Sequence, residues 1–115
     1  PALAGEQISK SELASLQAAM QSHIDQMSVD GALLHLDPAT GKVREVYPAK
    51  AHPKIMMVGK YYYLCADFRD AEGKEIMVNF YAVKQGDRYV FFYTDFTGDE
   101  ELEHKVEKHA ELASN

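Results

Sequence analysis

Residues 9–27 show the spacing of hydrophobic and polar positions that is typical of an amphipathic α-helix. Apolar side chains recur every three or four residues and form one stripe: Leu13, Leu16, Met20, Ile24 and Met27. Polar residues occupy the opposite side, so the pattern predicts a surface helix with one face packed on another element. Ser9 and Glu12 have the spacing of a capping box at its start, and residues 29–31 end it with a glycine.

A β-hairpin is predicted to follow the helix. Its first strand is Leu33–Leu36, its loop is formed by residues 37–41, and its second strand covers residues 42–47. The proline and the glycine of the loop favour a turn. Residues 48–53 are too rich in proline for a helix or a sheet interior, and therefore predict a linker. The short apolar run at 55–58 is either a strand or one helical turn, because its length does not distinguish the two.

Residues 59–96 contain every aromatic residue of the chain except Tyr47 and predict a meander of three antiparallel strands. Turns at residues 70–73 and 85–86 separate the strands. With loops of four and two residues, alternation places one set of side chains on a shared face: Tyr61, Tyr63, Cys65, Asp67, Ile76, Val78, Phe80, Ala82, Tyr89, Phe91, Tyr93 and Asp95. The other face is also largely apolar. A sheet exposed on one side alternates apolar with polar residues, so both faces are predicted to be covered, by helices, a curled half-barrel, a second subunit or a ligand.

Residues 97–113 predict a closing helix with a thin apolar stripe. Thr97 and Glu100 form a second capping box, and the acidic residues beside them suit the positive end of the helix dipole. Together the elements predict one α+β domain over residues 1–115. An N-terminal helix packs on a curved antiparallel sheet of five or six strands, the meander forms its C-terminal half, and a C-terminal helix closes it.

Composition narrows the classes of function. The net charge of -6 over 115 residues disfavours binding to the phosphates of nucleic acid, which requires a concentrated basic surface. No apolar run approaches the roughly 20 residues of a membrane-spanning helix. The single cysteine excludes a disulfide within the chain and gives no indication of the redox compartment.

The first residues bear on localisation. Ala2-Leu3-Ala4 has the small-x-small pattern of a secretory cleavage site. Residues 1–8 are therefore expected to be either a disordered terminus or the remnant of a signal peptide. The remnant predicts a periplasmic or secreted protein, whereas a disordered terminus leaves a cytoplasmic one.

Two aspartates are candidates for general acid–base chemistry. Asp67 and Asp95 are the carboxylates of the predicted shared face, roughly 10 Å apart by strand spacing. That distance is at the wide end for a carboxylate pair that acts through an intervening water. The simpler interpretation, which we favour, is that both lie at strand ends and bind backbone N–H groups.

The cysteine and the histidines predict no further chemistry. A nucleophilic cysteine needs a cation, a histidine or a helix N-terminus beside it, and Cys65 has aromatic and acidic neighbours along its strand. It is expected to be a buried, unreactive thiol. His104 and His109 are five residues apart, about 140° around a helix, so they cannot bind one metal ion together. The residues predict no catalytic group, no metal site and no cofactor.

The tyrosines are better candidates for a binding surface, because each combines a flat apolar ring with a polar tip. Seven tyrosines and no tryptophan favour a surface that binds a ligand or a partner over an ordinary aromatic core. The predicted ligand-binding residues all lie on the shared face: Tyr61, Tyr63, Cys65, Asp67, Phe80, Tyr93 and Asp95.

One combination of short motifs resembles a known family. His52-Pro53, five residues, Gly59-Lys60 and a later Asp70-Ala71-Glu72-Gly73-Lys74 resemble the HP-x5-GK…D-x-x-GK pattern of extracellular single Cache domains. This resemblance covers about half of the chain. It implies a PAS-like module that senses a small molecule in a pocket over the sheet, with three lining candidates: Tyr61, Tyr63 and Tyr93. The strand-like segment YYYLCADF departs from the family, which usually has a helix there, and a cystatin-like or NTF2-like sheet suits the order of elements equally well.

The sequence therefore predicts a small soluble binding module without chemistry of its own. It would sense a small molecule, or bind a protein partner, on an aromatic sheet face. One alternative is an NTF2-like enzyme that uses Asp67 or Asp95 as a general base. The other is a structural domain that forms a homodimer through its sheet. The predicted partners thus include a small molecule, a protein or a second copy, but no nucleic acid, and no membrane span is predicted.

Overall fold

A helix and a curled antiparallel sheet make up the described part of the chain, which in this computed structural model comprises residues 8–96, 108 and 111–112. The elements follow in chain order: α1 (Lys10–Met27), β1 (Leu33–Leu36), β2 (Val43–Val58), β3 (Tyr61–Asp70), β4 (Glu75–Gln85), β5 (Arg88–Asp95) and β6 (Glu111–Leu112). Strands β1 to β5 are neighbours in that order, and β6 pairs with β2 at Met56 and Met57. The predicted α+β class, with an N-terminal helix on an antiparallel sheet of five or six strands, is confirmed.

Two predictions concern the ends of the chain, which the structure describes only in part. The expected terminus or signal remnant at residues 1–8 lies outside the described residues except for Ile8. The closing helix over residues 97–113 also lies largely outside them. Within that range Lys108 is helical, and Glu111–Leu112 form the short strand β6. Among the described residues, no helix has both the length and the apolar character needed to cross a membrane.

Helix α1 begins and packs as its pattern predicts. Ser9 is the N-cap, and its hydroxyl oxygen accepts a 3.0 Å hydrogen bond from the backbone N–H of Glu12. Three residues of the predicted stripe are buried against the sheet: Leu16, Met20 and Ile24. Met27, the last residue of the stripe, is 59% exposed, so the packed face ends about one turn before the helix does.

A tight turn connects α1 to the sheet. The backbone groups of Val29 and Ala32 exchange hydrogen bonds of 2.8 and 3.1 Å. The two residues between them, Asp30 and Gly31, both have positive φ angles, of 51° and 84°. The predicted left-handed glycine is therefore present. It belongs to a two-residue β-turn rather than to the helix cap.

Strand β2 is continuous from Val43 to Val58, so the predicted linker at residues 48–53 is wrong. Its first part forms the predicted hairpin with β1. Register shifts between Pro48 and Lys50, and again between Ala51 and Ile55, place the prolines at irregular positions of the ladder with β3. Strand β1 covers only residues 43–46, and β6 only 56–57. Within the described residues the middle of β2 is therefore a sheet edge, which tolerates proline because no N–H is needed there.

The connection between β3 and β4 is shorter than the predicted four residues. The N–H of Asp70 donates to the carbonyl of Lys74 at 2.9 Å, so three residues form the loop, and Gly73 supplies its left-handed position with φ 86°. A change from four loop residues to three shifts the pairing by one, and Tyr63 lies opposite Tyr81. The predicted shared face is therefore wrong for four residues of β4, which lie on the other side of the sheet: Ile76, Val78, Phe80 and Ala82. It is also wrong for Tyr89 and Phe91 of β5, which pair with Lys84 and Ala82 and lie on that same side.

A β-bulge changes the alternation again in β5. Tyr93 lies opposite Tyr81, whereas Phe91 lies opposite Ala82, so Phe92 is one extra residue in the ladder. The rings of Phe92 and Tyr93 both approach that of Tyr81, with centroid distances of 6.5 and 5.7 Å. Two consecutive residues of β5 thus point to the same face of the sheet.

The core lies between α1 and one face of the sheet, which we call the inner face. Its buried side chains come from α1 and from strands β1 to β4: Leu16, Met20, Ile24, Leu33, Val46, Ile55, Tyr62, Leu64, Ala66, Phe68, Val78, Phe80 and Ala82. Burying a side chain the size of Phe68 contributes about 1.5–3 kcal/mol. Phe96, directly after β5, stacks on His35 of β1 at 4.7 Å, so the sheet curls until its two ends touch. The opposite face, called the outer face, points away from α1.

Candidate functional site

The outer face of β3 to β5 brings together most of the residues predicted to form a binding surface. Six of the seven lie on it: Tyr61, Tyr63, Cys65, Asp67, Tyr93 and Asp95. Phe80 does not, because the odd-length loop before β4 reverses its predicted orientation. It lies on the inner face, fully buried, with its ring centre 6.1 Å from that of His23. Tyr81 takes the central position on the outer face that was assigned to Phe80.

Aromatic rings form a continuous row across the outer face. The ring centres of Tyr63 and Tyr81 are 5.1 Å apart, and those of Tyr61 and Phe92 are 5.4 Å apart. Aromatic pairs attract one another at such distances. Tyr63 and Tyr81 are nearly buried, whereas Tyr61, Phe92 and Tyr93 are 40, 53 and 51% exposed. We call these three exposed residues the aromatic patch.

A shallow apolar depression of 420 Å³ lies at the aromatic patch, between the ends of β2 to β5. Its lining contains no charged side chain among the described residues: Val58, Tyr61, Tyr81, Val83 and Phe92. A positive charge lies beside it, because the ammonium of Lys60 is 5.6 Å from the ring centre of Tyr61. An apolar surface beside a cation is distinctive in a chain with a net charge of -6.

A row of smaller polar residues crosses the middle of the outer face. Asn79 of β4 lies opposite Cys65 of β3 on one side and opposite Asp95 of β5 on the other. Asn79 and Asp95 are only 1 and 2% exposed. Asp95 is the last residue of β5, as the strand-end interpretation requires, but it is buried rather than solvated. Buried amides and carboxylates are costly unless they are hydrogen-bonded, so this row is a specific feature of an otherwise aromatic face.

Asp67 lies within β3 rather than at its end, and it contacts a histidine. Its Oδ1 atom is 2.9 Å from Nε2 of His52, which the irregular middle of β2 places beside it. Sequence reasoning missed His52 as a functional candidate because it falls in the predicted linker; its only signal was the His52-Pro53 motif. The register separates Asp67 from Asp95 by two strands and two residues, roughly 12 Å, which is too far for a pair acting through one water.

A second polar cluster, which the sequence did not predict, joins α1 to the sheet. Oε2 of Glu12 accepts hydrogen bonds from the hydroxyls of Tyr89 at 3.0 Å and Tyr62 at 3.4 Å, and lies 3.3 Å from Nζ of Lys84. Burial, and then the hydrogen bond to Glu12, raises the pKa of Tyr89 to about 12. Burial, and then the charge of Glu12, also raises the pKa of Tyr62. Glu12, predicted as part of the capping box of α1, thus connects the helix to three strand residues.

No family model, curated protein or solved structure matches this chain. The resemblance to single Cache domains therefore stays a prediction, as do the cystatin-like and NTF2-like alternatives. Residues 61–68, where the chain departs from the Cache pattern, are part of strand β3 as predicted.

The chemistry available on the outer face follows from these positions. Among the described residues, no three histidine, cysteine, aspartate or glutamate side chains are placed to bind one metal ion. The carboxylate of Asp67 can orient the imidazole of His52, since each has hydrogen-bonding atoms that fit the other. The exposed rings of the aromatic patch offer apolar area with polar tips. Of these features, the aromatic patch presents the most accessible area to another molecule.

Proposed function

We propose that this protein is a binding module without a reaction of its own, and that the aromatic patch binds a protein partner. The observation that carries the proposal is the adjacency of Tyr61, Phe92 and Tyr93, each 40% exposed or more, on the sheet face that α1 does not cover. Exposed aromatic residues are enriched at protein interfaces. They often dominate the binding energy, because a ring buries a large area and has few rotatable bonds to immobilise.

The shape of the depression favours a protein over a small molecule on this face. Sites for small molecules are concave and enclose most of the ligand surface. The depression beside Phe92 is shallow, and its 420 Å³ is open to solvent. It suits one apolar side chain that projects from a larger partner. Lys60 lies beside it, so we propose that the partner places an acidic residue next to that side chain.

In this proposal neither Asp67 nor Asp95 acts as a general base. A general base must reach the proton that it removes. Asp67 is in contact with His52, and Asp95 is buried at 2% exposure.

Export to the periplasm or the cell exterior, predicted from residues 2–4, belongs to the same proposal. So does the choice of a separate protein, rather than a second copy of this chain, as the partner.

The proposal can be tested with a paired substitution in the aromatic patch. The double variant Phe92→Ala/Tyr93→Ala removes the two most exposed rings of the patch. Tyr47→Ala is the matched control, because Tyr47 is also an exposed aromatic residue, 38% exposed, on β2 away from the patch. Light scattering gives the oligomeric state of each form. Cross-linking in extracts of the source cells, followed by purification of the captured protein and calorimetric titration, gives the affinity.

A partner that binds the wild type and the Tyr47→Ala control equally, and the double variant at least tenfold more weakly, supports the proposal. If light scattering instead shows a dimer that only the double variant dissociates, the partner is a second copy and the structural-domain alternative replaces the proposal. Equal behaviour of all three proteins in both measurements would show that the aromatic patch is not a binding surface.

A further inference from the structure

A second cavity lies on the other side of the molecule, where α1 ends over the inner face. It measures 290 Å³ and is bounded by α1, β1, β4 and the end of β5. The contact between Phe96 and His35, with ring centres 4.7 Å apart, closes the sheet around it. Met27 stands at the mouth, since it lines the cavity and is 59% exposed. We call this space the helix-end cavity.

The lining of the helix-end cavity is apolar except for two groups. Phe80, Leu33 and Phe96 supply rings and aliphatic surface, while His23 and Thr94 supply an imidazole and a hydroxyl. Neither polar side chain makes a hydrogen bond to another group within the described part of the chain. No charged residue is present among the described lining residues.

The orientation and charge of His23 are determined by its neighbours. Its ring stacks on Phe91 at 4.7 Å, nearly parallel at 16°, and meets Phe80 edge-on at 84°. Burial lowers the pKa of His23, so the imidazole is neutral at pH 7. A neutral imidazole offers one donor and one acceptor, and the Thr94 hydroxyl offers the same pair.

We infer that the helix-end cavity binds a small neutral molecule with one aromatic ring and one hydroxyl or carbonyl group. Its 290 Å³ lies just below the roughly 300–1,000 Å³ typical of small-molecule sites, so the cavity suits a molecule no larger than a single substituted ring. Phe80, Phe96 and the thioether of Met27 suit the ring. His23 and Thr94 suit the polar group. A charged ligand is excluded because no opposite charge compensates for its desolvation. This site is separate from the aromatic patch and does not depend on the function proposed for it.

The inference can be tested with p-cresol, toluene and benzoate, which share a ring and differ in polarity and charge. Titrations of the full chain are followed by NMR, using the Met27 methyl group and the backbone amides near Thr94. Thr94→Val removes one hydroxyl at nearly constant volume, and His23→Phe removes the imidazole nitrogens. Met27→Trp at the mouth is designed to fill the cavity. Its matched control is Met77→Trp, because Met77 is 37% exposed on the outer face.

We expect saturable shifts at the cavity with p-cresol and about fivefold weaker binding of toluene, since one net hydrogen bond is lost. Benzoate should not bind. Met27→Trp should abolish the p-cresol shifts, whereas Met77→Trp should keep them, and Thr94→Val or His23→Phe should bring p-cresol closer to toluene. The inference is overturned if p-cresol causes no saturable shift at the cavity, or if benzoate binds as tightly. It is also overturned if Thr94→Val and His23→Phe both retain the full preference for p-cresol over toluene. This comparison still decides the question if Met27→Trp does not fold.

Discussion

The hydroxyl of Tyr89 in β5 donates a 3.0 Å hydrogen bond to the carboxylate of Glu12 in the first turn of α1, 77 residues earlier in the chain. The same oxygen also accepts a hydrogen bond from Tyr62 in β3. Lys84 of β4 lies beside it and balances its charge. One carboxylate therefore connects the start of the helix with three neighbouring strands.

Glu12→Gln is expected to lower the pKa of Tyr89 from about 12, but not fully to its ordinary value of 10.0, because burial is the larger cause of the shift. A phenol whose folded-state pKa is raised contributes stability that is fully present below pH 10 and is lost as the pH rises towards 12. NMR-resolved titration of the tyrosines measures the pKa of Tyr89 in the wild type and in Glu12→Gln.

Glu45→Gln is the control for that titration. The charge of Glu45 is the main cause that raises the pKa of Tyr47, so this substitution should lower the pKa of Tyr47 and leave Tyr89 unchanged. An unchanged Tyr89 pKa in Glu12→Gln would mean that the hydrogen bond between them is absent in solution.

His23→Phe is expected to flatten the acid side of the stability profile. Burial lowers the pKa of His23, so the folded state resists its protonation. The contribution of His23 is therefore fully present above its ordinary pKa of 6.5 and is lost as the pH falls below that value. Urea unfolding of wild type and variant between pH 7.5 and about 5 measures the difference. Parallel profiles would show that His23 is solvated in the folded protein.

Two phenylalanines should respond differently to truncation, because they lie on opposite faces of the sheet. Phe68→Ala removes a ring with 0% exposure and is expected to cost about 3–5 kcal/mol of unfolding free energy. Phe92→Ala removes a ring that is 53% exposed and should cost about 1 kcal/mol or less. Denaturant unfolding of both variants tests the assignment. Equal losses would contradict the observed placement of α1 on the inner face.

Gly73→Ala is expected to destabilise the protein by about 1–2 kcal/mol, because the left-handed conformation is unfavourable for a residue with a Cβ. A Cβ at this position meets nothing within 4 Å, so the cost arises from the backbone conformation alone. Glu72→Ala, at the exposed neighbour in the same loop, should change the stability by less than about 0.5 kcal/mol. If the two variants are equally stable, the loop does not adopt the positive φ.

Features that depend on neighbouring residues were predicted well. The stripe from Leu13 to Ile24 defines the packed side of α1, and Ser9 caps it, since both follow from spacing along one helix. The hairpin of β1 and β2 follows from its loop composition in the same way. The aromatic meander was also recognisable, because strand alternation and turn residues are local signals.

Features that change when the pairing of two strands shifts by one residue were not predicted. The loop that ends at Gly73 has three residues rather than four, and this one-residue difference moves Phe80 from the outer face to the core. The contact between His52 and Asp67 depends on the irregular pairing of β2, which composition does not reveal. Pro48 and Pro53 indicate a linker because proline has no N–H to donate to a neighbouring strand. Sequence alone does not show that they lie at a sheet edge, where that N–H is not needed.

The bulge at Phe92 in β5 makes the aromatic patch sensitive to the length of this strand. In a regular strand, consecutive residues such as Phe92 and Tyr93 would project in opposite directions, and one of the two rings would face the core. The extra residue places the rings of Phe92 and Tyr93 together on the outer face. The patch is therefore encoded by the length of β5 as much as by its composition. A one-residue deletion that removes the bulge would turn Phe92 towards the inner face while preserving both aromatic residues.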